Sequence, residues 1–272
     1  EAERVEATLT VFRPSSEVMR LNADAHAREV IASDDLFGLL ERCRALHADT
    51  GGAFDPTTLP LSRAWGFLDR RPARPSDEAL AAARRAVGMD RVALDPGCRG
   101  VRFLAPGMAL NFGSIGKGYA VQRIADALAA RGAADALVSA GGSSVAAVGP
   151  RRWPVDVVAR AAGRTIARLL VRQAALGTSG AGEQFLDVDG VRRAHVIDPR
   201  SGWPAAGVLS ASVVTDDAAD ADALATACFV GGVDVARLVA ARPRTLVILA
   251  PDEAGAPSVV IGSHPSVIVE AS

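Results

Sequence analysis

The sequence predicts a mixed architecture, α+β or α/β rather than a sandwich, and of the two we adopt an α+β fold, mixed sheets with flanking helices, in a single compact unit over residues 1–272. Three observations predict it. Short strand-like runs, Arg91 to Leu94 and Val101 to Leu104, are joined by the turn Asp95-Pro96-Gly97. Runs of helical period, such as Val121, Ile124, Ala125 and Leu128, are interleaved with such strands. Hydrophobic residues make up 49% of the chain, enough for a substantial core, with alanine enrichment but no internal repeat or low-complexity linker.

In chain order, Pro14-Ser15-Ser16 precedes apolar positions at Val18 and Leu21, followed by Val30 and Ile31. Asp34-Asp35 caps a helix through Leu36, Leu39, Leu40 and Leu46, which Thr50-Gly51-Gly52 ends. The proline- and arginine-rich stretch 70–76 reads as a surface loop, and Ser76 starts an alanine-rich helix that runs to Gly88. Met108 to Phe112 reads as a strand, Gly113 to Gly118 as a tight loop, and the following helix stops at Gly132. Strands are expected at 136–140, 155–159, 168–171 and 210–214, then a helix over 218–230. A second helix near 233–241 and strands at 245–249 and 258–261 close the chain.

Thirty basic against thirty-one acidic side chains leave a formal charge of -1, so no global field draws the chain to nucleic acid or an anionic surface. Uninterrupted apolar runs are far shorter than the roughly 18 residues of a membrane span, so no transmembrane segment is expected. Cys43, Cys98 and Cys228 are odd in number and lack CxxC spacing, which argues against a disulfide framework or a zinc site; all three read as small buried hydrophobes.

Lysine occurs once, at Lys117, between Gly116 and Gly118. Glycines let backbone approach a ligand, and the helix opening behind them turns free N–H groups and its positive dipole end toward the loop, an arrangement that suits phosphate. The spacing is not a Walker loop, and the alternative is a plain turn with a solvated lysine. Asp222 and Thr226, four apart on a helix, offer hard oxygens on one face, suited to Mg²⁺ shared with a phosphorylated substrate. Asp216 and Asp217 read equally well as N-caps. Ser179, His195 and Asp198 invite comparison with a hydrolase triad, but no G-x-S-x-G surrounds Ser179. His195 alternates with apolar neighbours as a strand residue does, and a structural histidine is the competing reading. Trp65 and Phe67 read as core rather than ligand platform.

Taken together, Pro14-Ser15-Ser16-Glu17 through Leu21-Asn22, Thr50 to Phe67, Gly113 to Ala120, Thr178-Ser179-Gly180, His195 to Gly202 and Asp222 to Thr226 resemble, in order, the signatures of the FAD:protein FMN transferases, the ApbE-like flavin transferases. The resemblance implies an ApbE-like fold and an enzyme that uses Mg²⁺ and takes FAD as substrate. It would attach FMN through a phosphoester to a threonine or serine of an acceptor protein, such as a subunit of a membrane redox complex, and release AMP. By the same resemblance Ala53, Phe54, Asp55, Lys117, Ser179, Gly180, His195 and Ile197 would meet FAD, with Asn111 standing where the family usually has Asp. Asp222, Thr226 and a backbone carbonyl placed at Ser114 would hold the metal. His195 is the candidate for proton transfer with Asp198 close in sequence, and Lys117 would serve the phosphate; the choice of base stays open. A Mg²⁺-dependent FAD pyrophosphatase and a flavin-binding protein without turnover are the competing functions. The family's Met-Gly-Thr strand is expected ahead of Glu1, where an export signal would also lie; a periplasmic or cell-envelope site is favoured over a cytoplasmic one.

Overall fold

In the computed structural model, residues 1–159, 161, 163–180, 185–188, 190–253 and 256–270 are described. Where the sequence suggests one unit, the contacts of the chain gather into two. One comprises Ala2–Gly113 with Ile197–Pro204, the other Ser114–Val196 with Ala205–Ser272 and Glu1.

The first unit is mainly helical. Ser16, Ser33 and Ser76 start the helices Glu17–Asp24, Asp34–Asp49 and Asp77–Arg85, each hydroxyl accepting a backbone N–H three residues on. The helix at 34 is therefore capped by Ser33, one position before the expected Asp34-Asp35, and the two aspartates fill its first turn, where the helix dipole favours them. Val18, Leu21, Leu36, Leu39, Leu40, Cys43 and Leu46 lie buried on these helices. The expected hairpin forms from Val92–Asp95 and Gly100–Phe103, and Val30–Ile31 adds a third antiparallel strand. Cys98 lies in its turn and is exposed, unlike the buried Cys43 and Cys228, because a hairpin tip has no layer above it.

Met108 to Phe112 is not a strand. The backbone N–H and carbonyl of Leu110 are taken by the side-chain amide of Asn22, at 2.7 and 3.0 Å, and Asn111 N–H donates to the Pro56 carbonyl at 2.7 Å. With these groups satisfied locally, the apolar run needs no strand partner.

The second unit has three layers. A six-stranded antiparallel sheet runs, in spatial order, Val259–Ser263, Thr245–Pro251, Val208–Thr215, Ala174–Gly180, Ser144–Val148 and Ala136–Ala140. One face carries the helices Gly116–Ala130 and Ala218–Ala240; the other carries a three-stranded sheet of Val267–Glu270, Arg164–Val171 and Trp153–Ala159. Strand alternation sorts the side chains: Val145 and Ala147 pack with Leu169, Val171, Leu246 and Ile248 between the sheets, whereas Ala146 packs with Val121, Ala125, Ala218 and Ala221 under the helices. Thr245–Pro251 is buried almost throughout because both faces are covered.

Ala218–Ala240 merges the two expected helices across a break at Gly232, whose φ of 61° lies outside the helical range. By length and composition this helix could cross a membrane, although no apolar run in the sequence suggested one. Fourteen of its residues are buried, and it packs on strands Ala174–Gly180 and Val208–Thr215, as the core helix of this unit does. Asp217 is its N-cap, accepting from Ala219 and Asp220. Asp216 instead pairs with Arg244 at 2.6 Å and His264 at 3.1 Å.

Candidate functional site

The second unit brings the glycine segment and the Asp222 helix together. The helix begins at Gly116, so Lys117 and Gly118 occupy its first turn and only residues 113–115 form the turn before it. That corrects the loop expected through Gly118 and changes what its glycine does. A Cβ on Gly118 would lie 2.0 Å from the Ala218 carbonyl oxygen and 2.6 Å from Asp222 Cβ. Gly118 therefore serves the close approach of two helices rather than the approach of a ligand.

At that crossing, Gly118 N–H donates to Asp222 Oδ2 at 2.9 Å, and Ser144 Oγ donates to Asp222 Oδ1 at 3.2 Å. Asp222 is 2% exposed. Burial pushes its carboxyl above the ordinary value, against the opposing effects of the Lys117 charge, the Gly118 N–H and the Ser144 hydroxyl. Lys117 itself is exposed. One turn further along the helix, Thr226 Oγ1 lies 3.5 Å from the Ser114 carbonyl oxygen, 3.2 Å from the Asp222 carbonyl oxygen and 2.9 Å from Ser179 Oγ. The three oxygen donors named from the sequence, Ser114 O, Asp222 and Thr226, thus share one corner of the unit, and Ser179 joins them through Thr226. Carboxylate, hydroxyl and carbonyl are the donor types a hard divalent cation takes, and a buried carboxylate gains most from one.

Gly180 ends its strand opposite Ser210. His195 stands in a bend just past strand Val191–Ala194, not within it, and is partly buried; the flanking backbone is held by Ala194 N–H to the Ala205 carbonyl and Ala205 N–H to the Val196 carbonyl.

The first unit holds the remaining residues. Asp55 is 5% exposed, and its oxygens are engaged: Oδ1 accepts from Thr57 N–H and Oγ1 at 2.7 and 2.5 Å, Oδ2 from Met89 N–H at 3.0 Å. His47 Nδ1 lies 3.3 Å from the same Oδ2 and 3.0 Å from the Phe54 carbonyl. Ala53 and Phe54 are buried, and Phe54 N–H donates to Thr50 Oγ1 at 3.2 Å. Asn111 Oδ1 accepts from Gly113 N–H at 3.0 Å, a turn that aspartate and asparagine make alike. Asp198 is clasped by Arg200 at 2.9 and 3.0 Å, and Ile197 is buried, bridging to Pro204. Trp65 is fully buried, its indole N–H donating to the Gly202 carbonyl at 2.9 Å, and Phe67 is buried too, as expected of core.

Sequence reasoning missed Ser144 and His47. Ser144 could have been found from Gly141-Gly142-Ser143-Ser144 at the end of a strand, where a hydroxyl follows a tight turn. His47 has no signal in its own helix; only the fold brings it back to Asp55. Among the described residues the cluster of His, Cys and carboxylate side chains spaced to hold a metal is a different one, Glu29, Asp95 and Cys98, all exposed at the hairpin of the first unit.

Residues 1–249 match the model of the ApbE family. A FAD:protein FMN transferase of Treponema pallidum is 34% identical over 249 residues, covering 85% of this chain and 69% of its own. One from Klebsiella pneumoniae is 31% identical over 235 residues, covering 85% and 73%. Among solved structures, the ApbE protein of Thermotoga maritima matches with a TM-score of 0.85 at 28% identity, over 96% of this chain and 85% of that one. The apo form of the Pseudomonas stutzeri flavinyl transferase ApbE matches with a TM-score of 0.83 at 28% identity, over 96% and 84%. The mixed α+β architecture is the one these structures share, and by its sequence and its fold this chain belongs to the ApbE family.

Proposed function

We propose that this chain transfers FMN from FAD to a threonine or serine hydroxyl of an acceptor protein, with Mg²⁺, releasing AMP. The observation that carries the reading is the joining of the Gly116–Ala130 helix start to Asp222 and Thr226 in one corner of the second unit. In the reaction the acceptor oxygen bonds to the FMN-side phosphorus, the bond from that phosphorus to the bridging oxygen breaks, and AMP leaves with the bridging oxygen.

Ser114 O, Asp222 and Thr226 are the residues that would hold Mg²⁺, and their oxygens suit it. When bound, the ion supplies neutralising charge to the pyrophosphate oxygens. Lys117, exposed on the first helical turn, brings a mobile ammonium to the same oxygens, and the positive end of that helix's dipole adds to it. His195 takes the proton that the acceptor hydroxyl gives up. Asp198, already neutralised by Arg200, sets the 198–203 turn rather than moving a proton. Ala53, Phe54 and Asp55, which the family resemblance assigns to FAD, are buried in a loop of the first unit locked by Thr50, Thr57 and Met89.

An incubation with FAD, Mg²⁺ and a threonine-bearing acceptor tests this reading. Flavin fluorescence on the denatured acceptor, with one AMP per flavin attached, is expected. Free FMN with AMP and no labelled acceptor would make the protein a hydrolase of FAD, and unaltered FAD would make it a binder.

A further inference from the structure

We infer that Ser144 is a positioning residue that aims the Asp222 carboxylate at its cation, an inference that rests on the proposed metal site. Ser144 opens strand Ser144–Val148 directly after the turn 141–143 and is fully buried. In the sheet it is paired with Gly177. A Cβ on Gly177 would lie 2.3 Å from the Ala221 carbonyl and 2.5 Å from Asp222 N, so the helix backbone rests directly on that glycine. Gly118 clasps the same residue from the other helix. Asp222 is thus pinned at its backbone by one glycine and at its Cβ by another, and the freedom left to it is rotation about its two side-chain bonds.

Two donors stop that rotation. Gly118 N–H binds Oδ2 and Ser144 Oγ binds Oδ1, one hydrogen bond on each oxygen. A carboxylate offers about four lone-pair sites, so each oxygen keeps one free, and both are fixed in direction. The Gly118 bond belongs to the backbone and cannot be lost by mutation without moving the helix. The Ser144 bond is the side-chain half of the device. A hydroxyl also suits the task because it adds no charge to compete with the cation, as a lysine or arginine in its place would. Partners of this kind, which touch the ligand and not the metal, commonly change metal affinity by about 10–100-fold.

The test is Mn²⁺ binding to FAD-free protein, followed by the loss of the free-ion EPR signal, for the parent, Ser144→Ala, Ser144→Cys and Asp222→Ala. Ser144→Ala and Ser144→Cys are expected to raise the Mn²⁺ Kd about 10–100-fold. Their metal-free melting temperature should fall only by the few degrees that one lost hydrogen bond to a buried carboxylate costs, and kcat at saturating metal should fall far less than metal affinity. Asp222→Ala should abolish binding. Parent-like Mn²⁺ affinity in both Ser144 variants would overturn the inference while leaving the metal site standing. Equal binding by Asp222→Ala and the parent, or none by the parent, would overturn the site itself and the inference with it.

Discussion

Gly118→Ala is a small change with a large expected effect. The added methyl would lie 2.0 Å from the Ala218 carbonyl oxygen, whereas ordinary contact begins at 3.4 Å, so the two helices must part by about 1.4 Å. Both neighbours are backbone or Cβ, so no flexible side chain can swing aside. Overpacking of this kind costs about 1–3 kcal/mol. Stretching the Gly118 N–H bond to a buried carboxylate adds about 1.5–3 kcal/mol, while alanine's better helix propensity returns about 1 kcal/mol. The net is a destabilisation of about 1.5–5 kcal/mol, read as a fall in Tm on the order of 10 °C by circular dichroism. Metal affinity should fall with it, since Asp222 moves. A Gly118→Ala protein as stable as its parent would mean that helix propensity decides at this position and that the close crossing is not what the glycine serves.

Lys117→Ala should lower FMN transfer by about 100- to 1000-fold with an unchanged melting curve, and Lys117→Arg should not restore it; full turnover in Lys117→Ala would remove the lysine from the reaction. Stability should fall as pH drops. Burial holds His264 below its ordinary value of 6.5, so the unfolded chain takes up the proton first, and that stabilisation is complete above 6.5 and lost through the lower folded value. Arg244, hydrogen-bonded to Asp216, holds that carboxyl below 3.8, so its contribution is present above 3.8 and lost below it. Urea titrations across this range should show the decline, and His264→Gln should flatten its upper part; an unchanged slope would refute the assignment. Thiol titration of the native protein should find Cys98 reactive, slowly because partial desolvation and the carboxylates of Asp95 and Glu29 raise its pKa, with Cys43 and Cys228 reacting only after denaturation. Trp65→Phe should cost about 1–3 kcal/mol, since it strands the Gly202 carbonyl inside the first unit.

Much of this was legible in the sequence, for physical reasons that differ by residue. Asp222 and Thr226 were readable because helical period alone sets them on one face, and the hairpin at 95–97 because its turn residues permit few alternatives. Ser76 was readable as a cap because its hydroxyl acts within three residues. Met108 to Phe112 was misread because its strand-like pattern is satisfied by Asn22, 88 residues away, which no local signal reveals. Gly118 was misread for the same reason: glycine beside lysine suggests a ligand loop, and only the position of Ala218 shows that the space is needed by a second helix. Ser144 and His47 act through tertiary contacts, so composition and period are silent about them.

The interruption at Gly232 divides labour along one helix. Everything that touches the Asp222 corner precedes it, and the segment beyond it turns Val233 and Leu238 outward. Changes confined to the helical segment after the interruption should therefore leave the ligand oxygens where they are, whereas a one-residue deletion between the Asp217 cap and Asp222 would rotate Asp222 by about 100° off its seat. The same discontinuity breaks the ladder of backbone bonds that a straight rod in lipid would have to keep intact.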